Sequence, residues 1–151
     1  MRLKFFCFSC LLMLLAVPYS KAQTTNTQEK ICGKWESTDK TLRIQVYMQD
    51  NQYKANVIWF SDTEGRPMDY WTDRHNPNPA LRSRKILGMS VLSGLKYDPE
   101  KNSWENGIVY DSKHGRDWNA SAYLDKNDML RVRGYWHFKF IGRTMDFVRM
   151  H

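Results

Sequence analysis

Cysteine is scarce in this chain, and its placement argues against a disulfide framework. Of the three cysteines, Cys7 and Cys10 fall within an N-terminal apolar run, and only Cys32 follows it. If that run is removed on export, one thiol is left and no internal disulfide can form. Cys32 then reads either as a small buried hydrophobe or as an exposed thiol. Histidine is sparse as well. His75, His114, His137 and His151 are scattered, with neither H-x-H nor H-E-x-x-H spacing, so no metal site is expected. The G-x-S-x-G of a nucleophile elbow does not occur. A carboxylate pair such as Asp111 with Asp117 would do acid–base work only if the fold set both in one cleft. No catalytic residue is assigned, no cofactor is expected, and an enzyme is the least favoured class. Past residue 22 there is also no long apolar run, no fixed repeat and no convincing long helix.

The one long apolar stretch stands at the start. Arg2 and Lys4 flank the head of a run from Leu3 to Val17, Pro18 ends it, and Ser20-Lys21-Ala22 puts small residues where a signal peptidase reads. The run is short of the ~20 apolar residues that a stable span needs. A lipoprotein would need a cysteine directly after it. The expectation is a signal peptide over residues 1–22 and a periplasmic or secreted protein with no stable membrane span. Residues 23–30 (QTTNTQEK) are polar and unpatterned, which predicts a flexible N-terminus. Residues 31–151 are enough for one domain with one core. Arg2, Lys4 and Lys21 leave with the leader, so the net charge falls by three from +7. That mild excess suits solubility and gives no reason to infer nucleic-acid binding.

What remains is strand pattern. Leu42, Ile44, Val46 and Met48 alternate with Arg43, Gln45 and Tyr47, Asp50-Asn51 supplies a turn, and Tyr53 to Phe60 returns. Strands are expected again over Ile86–Tyr97, Trp104–Asp111 and Arg116–Leu124, separated by polar turns. The last hairpin, Leu130 to Arg149, reads LRVRGYWHFKFIGRTMDFVR. Leu130, Val132, Trp136 and Phe138 alternate with Arg131, Arg133, Tyr135 and His137, and Arg143, Met145, Phe147 and Arg149 share one face of the return strand. Only Ser61 to Arg84 breaks the rhythm, and a loop of that length is uncommon and often functional. Within it Pro79 to Arg84 predicts one helical turn. About eight short strands in sequential hairpins predict an all-β fold, an antiparallel up-and-down barrel with room for packed side chains or one small ligand.

Gly33-Lys34-Trp35 at the first strand, with Arg149 near the end of the last, resembles the lipocalin and calycin barrel signature. That resemblance implies barrel closure by Trp35 and Arg149, the arginine packing across the tryptophan and capping carbonyls at the base. Four further blocks occur in order: Asn76-Pro77-Asn78-Pro79-Ala80-Leu81-Arg82-Ser83-Arg84 with Ile86-Leu87-Gly88; Gly107-Ile108-Val109-Tyr110-Asp111 through Gly115; Leu130-Arg131-Val132-Arg133-Gly134; and Gly142-Arg143-Thr144. Along nearly the whole chain after the leader, they are similar to a bacterial exported family, the domain of unknown function 2147. The sequence departs from it at Ser112, at Phe147 and at Trp136-His137, where a narrower cavity would follow. The resemblance implies an exported lipocalin-like barrel and brings no activity with it.

Two readings fit the arginines of the last hairpin. In one, Arg143 points into the barrel and, with Arg133, Tyr135, Tyr110 and Trp118, holds a small hydrophobic or anionic ligand such as a fatty acid. In the other, Arg133 and Arg143 pair with Asp111, Asp117 or Asp146 and only hold the barrel together. The Ser61–Arg84 loop, with Asp73-Arg74-His75-Asn76 and Arg82-Ser83-Arg84, is either a lid or partner contact, or a rigid turn whose arginines bind carbonyls and carboxylates. The six tryptophans default to core. The favoured function is an exported carrier of an amphipathic or anionic molecule. The alternative is an envelope protein–protein module that uses the 61–84 loop and exposed aromatics.

Overall fold

Eight antiparallel strands follow one another around a closed barrel in a computed structural model that describes residues 26–151. The leader expected over 1–22, and residues 23–25 of the polar segment, lie outside the described residues. The strands are β1 (Gly33–Ser37), β2 (Leu42–Gln49), β3 (Gln52–Phe60), β4 (Ser90–Asp98), β5 (Ser103–Asp111), β6 (Arg116–Leu124), β7 (Leu130–Tyr135) and β8 (Gly142–Arg149). Each pairs with its neighbour in sequence, and β1 closes on β8 through Trp35–Arg149, Glu36–Val148 and Ser37–Phe147. Alternation does most of the work. Ile44 and Val46 of β2, Tyr53, Ala55 and Val57 of β3, and Leu130 and Val132 of β7 are buried, while the residues between them face outward. The β2–β3 turn is the two-residue kind in which both centres take positive φ, here Asp50 (54°) and Asn51 (58°), as the twist of a hairpin requires.

The core gathers at one end. Trp35, Tyr53, Leu95, Trp104, Leu130 and Phe147 fill it, with Tyr53 and Trp104 meeting edge to face at 6.1 Å. Small residues make that filling possible. A β-bulge at Asn106 (φ 60°) brings Gly107 inward, and a Cβ there would lie 2.6 Å from Leu95 Cδ2. The barrel is therefore plugged at its base by large side chains that only a glycine and alanines opposite can admit.

Three segments differ from the sequence expectation. Within the polar stretch that reads as a flexible N-terminus, residues 27–30 form with Ile31 a 3-10 turn, Thr27–Ile31, which seals the base with Ile31 fully buried. Its carbonyls are what hold it: Trp104 Nε1 donates to Gln28 O at 3.1 Å and Trp35 Nε1 to Ile31 O at 2.8 Å. A polar sequence gives no periodic sign of such a role. Strand β4 begins at Ser90 rather than Ile86, because Gly88 (φ 81°) turns the chain and Ile86 N bonds Trp71 O within the loop. Strand β7 stops at Tyr135 and pairs there with Gly142. Trp136 to Ile141 becomes a connection, so the expected alternation through Phe138 does not continue.

Candidate functional site

The two ends of the barrel are built differently. At the base, the Arg149 guanidinium lies 4.2 Å from the centroid of the fully buried Trp35 ring. It donates to Cys32 O at 2.9 Å and to Lys30 O. One cation thus stacks on the indole and satisfies carbonyls of the sealing segment. Cys32 beside it is half-buried, and burial, with Glu29 nearby, pushes its thiol up, away from thiolate reactivity.

At the opposite end, the mouth, the β3–β4 loop and the β5–β6 and β7–β8 turns meet. Arg143 sits on the β8 face that also carries Met145, Phe147 and Arg149, opposite Gly134 of β7. Phe147 is buried, Met145 is partly open and Arg143 is open, so this face passes from core to solvent as it rises. Trp118 lies on the matching face of β6, two residues above Ala120, which pairs with Gly134. Trp136 continues the same parity beyond β7, and its ring meets Trp118 edge to face at 5.7 Å. Gly134 stands between these groups, and a Cβ there would press on Val109 Cγ1 at 3.2 Å. One wall of the mouth therefore offers Val109, Trp118, Trp136, Met145 and the guanidinium of Arg143. Among the described residues no carboxylate or hydrogen-bond acceptor engages Arg143. Arg43, Arg84 and Arg131 all have acidic partners.

The other sequence candidates go elsewhere. Arg133 and Tyr135 lie on the opposite face of β7 from Val132 and Gly134, so neither shares the mouth with Arg143. Arg133 instead donates to Lys139 O and to Thr144 Oγ1 at 3.1 Å. Neither Arg133 nor Arg143 takes the aspartates expected for them. Asp146 pairs with Arg131, and Asp111 with His114 at 2.6 Å. Strand parity explains both results, because a shift of one residue moves a side chain through the barrel wall. The role of Trp136 was legible in principle from its even spacing with Val132 and Gly134.

Tyr110 of β5 also points outward and bonds to the long loop. Its hydroxyl donates to Asp73 Oδ1 at 2.7 Å, and Asn76 Nδ2 donates to Asp73 Oδ2 at 2.7 Å and to the Tyr110 oxygen at 3.0 Å. Arg84 reaches Asp73 Oδ2 at 2.7 Å, and Arg82 Nε donates to Asn76 O at 2.8 Å. Asp73 is fully buried with its acceptors filled, so the loop is a polar knot. Its arginines bind a carboxylate and a carbonyl, as the rigid-turn reading has it. Pro79–Leu81 forms the helical turn, capped by Asn78 accepting from Ala80 N. Gly115 of the β5–β6 turn packs so closely that a Cβ would sit 1.8 Å from His75 O. The blocks that carry the family resemblance at 76–88 and 107–115 thus meet in space.

Burial alone would raise the Asp73 carboxyl, but Asn76, Tyr110 and Arg84 outweigh it and hold it low. Burial, then the bond to Asp73 and its charge, push Tyr110 up to about 12. A phenol whose folded value exceeds its unfolded one, about 10, stabilises fully below that pH and loses its contribution as pH rises through the folded value. The urea midpoint is expected to fall between pH 10 and about 12, and to fall less in Tyr110→Phe. Equal slopes for the two proteins would exclude this linkage.

A recess of about 490 Å³ lies at the base beside the sealing turn, lined by Lys30, Leu124, Asp128, Val148, Arg149 and His151 among others. Its arginine is already committed to Trp35 and two carbonyls. No group of three or more His, Cys, Asp or Glu side chains able to hold a metal ion occurs among the described residues.

A sequentially wound, closed eight-stranded antiparallel barrel, with a tryptophan–arginine stack at its base, defines the protein as a lipocalin-like barrel. The chain belongs to the bacterial family described as "Uncharacterized protein conserved in bacteria (DUF2147)", whose profile matches residues 33–149. A solved Helicobacter pylori structure, described as "Protein HP1028 from the human pathogen Helicobacter pylori belongs to the lipocalin family", is similar in fold. The TM-score is 0.67 at 22% identity, over 80% of this chain and 82% of that one. No curated protein matches the chain.

Proposed function

We propose that the barrel is an exported carrier whose mouth takes up a small amphipathic anion, its acid group on Arg143 and its apolar part along Trp118, Trp136 and Met145. The observation that carries this reading is the open guanidinium of Arg143, without an acidic partner among the described residues, on the face that leads into the core. Guanidinium meets a carboxylate or phosphate with two parallel hydrogen bonds, and adjacent rings supply apolar area. The lipocalin-like fold of the Helicobacter pylori neighbour supports a ligand-binding barrel as a class. The packed base limits the occupant to one that sits in the mouth, so a short or partly enclosed chain fits better than a long one.

Binding is read from tryptophan fluorescence, since Trp118 and Trp136 line the proposed site. Medium-chain fatty acids are expected to quench or shift the emission, and Arg143→Ala to weaken binding about ten- to a hundredfold, the worth of a charge-assisted hydrogen bond. Native mass spectrometry of protein purified from the periplasm would identify the natural occupant. Unchanged affinity in Arg143→Ala, or no response to any acid, would remove the reading.

A further inference from the structure

The β7–β8 connection combines two properties that seldom coincide. Its backbone is braced by polar contacts, yet its apolar side chains are left in water. Asn119 Nδ2 donates to Trp136 O at 2.6 Å, Arg133 donates to Lys139 O, and Lys139 pairs with Glu105, a largely buried carboxylate on β5. A turn bond from Ile141 N to Phe138 O at 3.0 Å closes the apex. Held this way, Phe140 remains 78% exposed, Phe138 59%, Ile141 58% and Trp136 54%. Phe138 and Phe140 stack on each other at 5.4 Å rather than turning into the core. The bracing keeps them out.

We infer that this connection, residues 136–143, docks the barrel onto an anionic lipid surface. The occupant follows from the chemistry of the segment. WHFKFIGR contains no acidic residue: His137 and Lys139 alternate with Trp136, Phe138 and Phe140, and Arg143, which unlike the Glu105-bound Lys139 has no acidic partner among the described residues, closes the segment. Arg133 at its foot has no acidic partner among the described residues. The β5–β6 turn at the same end adds Lys113, and Arg116 opens β6, with Asp111 and Asp117 flanking the two. Aromatic side chains beside cations are the composition that settles at the boundary between headgroups and acyl chains, and anionic headgroups complement the charge. The docking segment includes Trp136 and Arg143 of the proposed mouth, so an amphipathic molecule would pass between bilayer and barrel without crossing water.

Co-sedimentation of residues 23–151 with phosphatidylglycerol–phosphatidylcholine vesicles, against pure phosphatidylcholine vesicles, tests the inference. Association is expected with the anionic vesicles, weakening as salt is raised, and falling at least about tenfold in Phe138→Ser/Phe140→Ser. Met48→Ser, an exposed apolar residue at the other end, should leave it unchanged. Both serine substitutions are at exposed positions, so a matched urea midpoint shows that the variant is folded. Failure of the wild type to bind anionic vesicles, equal binding to both vesicle types, or full binding by the double variant would overturn the inference. So would self-association that the double variant abolishes, since the segment would then cover a second copy of the chain. The fluorescence titration with fatty acid is unaffected by these outcomes, so this idea and the ligand reading fail separately.

Discussion

Replacing Asp73 by alanine is expected to lower unfolding free energy by about 2–4 kcal/mol, chiefly through the buried hydrogen-bond partners it leaves unsatisfied, since the Arg84 side chain is partly exposed and can turn to water. The loss has identifiable parts. Tyr110 loses the acceptor of its hydroxyl, Asn76 loses one of two acceptors, and the Arg84 guanidinium loses its carboxylate. The same residue also closes the loop through its backbone, with Asp73 N bonded to Arg84 O at 2.8 Å. The 61–89 segment should therefore open before the barrel does. Its amides would exchange faster, and protease would cut it at urea concentrations where the wild type resists. Asp73→Asn keeps the shape and one acceptor but strands the arginine, and should fall between the two. A wild-type urea midpoint and unchanged protease protection in Asp73→Ala would show that the knot is dispensable.

The base carries the second large effect. Trp35 is fully buried, and Trp35→Ala is expected to destabilise the protein by about 3–5 kcal/mol through lost burial and the cavity left behind. Removal of the ring also takes away the surface on which Arg149 stacks at 4.2 Å, leaving the cation to its two carbonyls. Arg149→Ala should cost less, since its guanidinium is partly in contact with solvent. The double variant should lose less than the sum, with a coupling of about 0.5–2 kcal/mol from the cation–ring contact. Chemical denaturation of the four proteins checks this. Strict additivity would mean that the stack contributes nothing beyond the separate packing of its members.

Much of this architecture is legible without coordinates. A period of two, with short polar turns, leaves a strand little choice of which residues to bury, and Leu42–Met48, Tyr53–Phe60 and Arg116–Leu124 show it openly. The six hairpin connections that join adjacent strands directly dictate an up-and-down barrel once the strands are counted. Parity places Arg143 on one face of β8 with Met145, Phe147 and Arg149, since no bulge interrupts the strand between Arg143 and Phe147, but which way that face turns follows only from the barrel-base resemblance of Arg149. The same parity, applied through Gly134, separates Arg133 and Tyr135 from the mouth.

Other features depend on contacts between residues far apart in the chain. The polar turn Thr27–Ile31 seals the base only because an indole nitrogen 76 residues away and a guanidinium 119 residues away use its carbonyls. Asp73 looks like one more charge in a polar loop, and only the approach of Tyr110 and Arg84 makes it a buried anchor. Whether Trp136–Ile141 continues a strand or leaves the barrel is decided by the close pairing of Tyr135 with Gly142, where a Cβ would meet Gly134 O at 2.3 Å. Periodicity is a local property and survives in the sequence. A hydrogen bond across the barrel has no local signature, so the plugged base, the polar knot and the exposed aromatic turn belong to the tertiary structure alone.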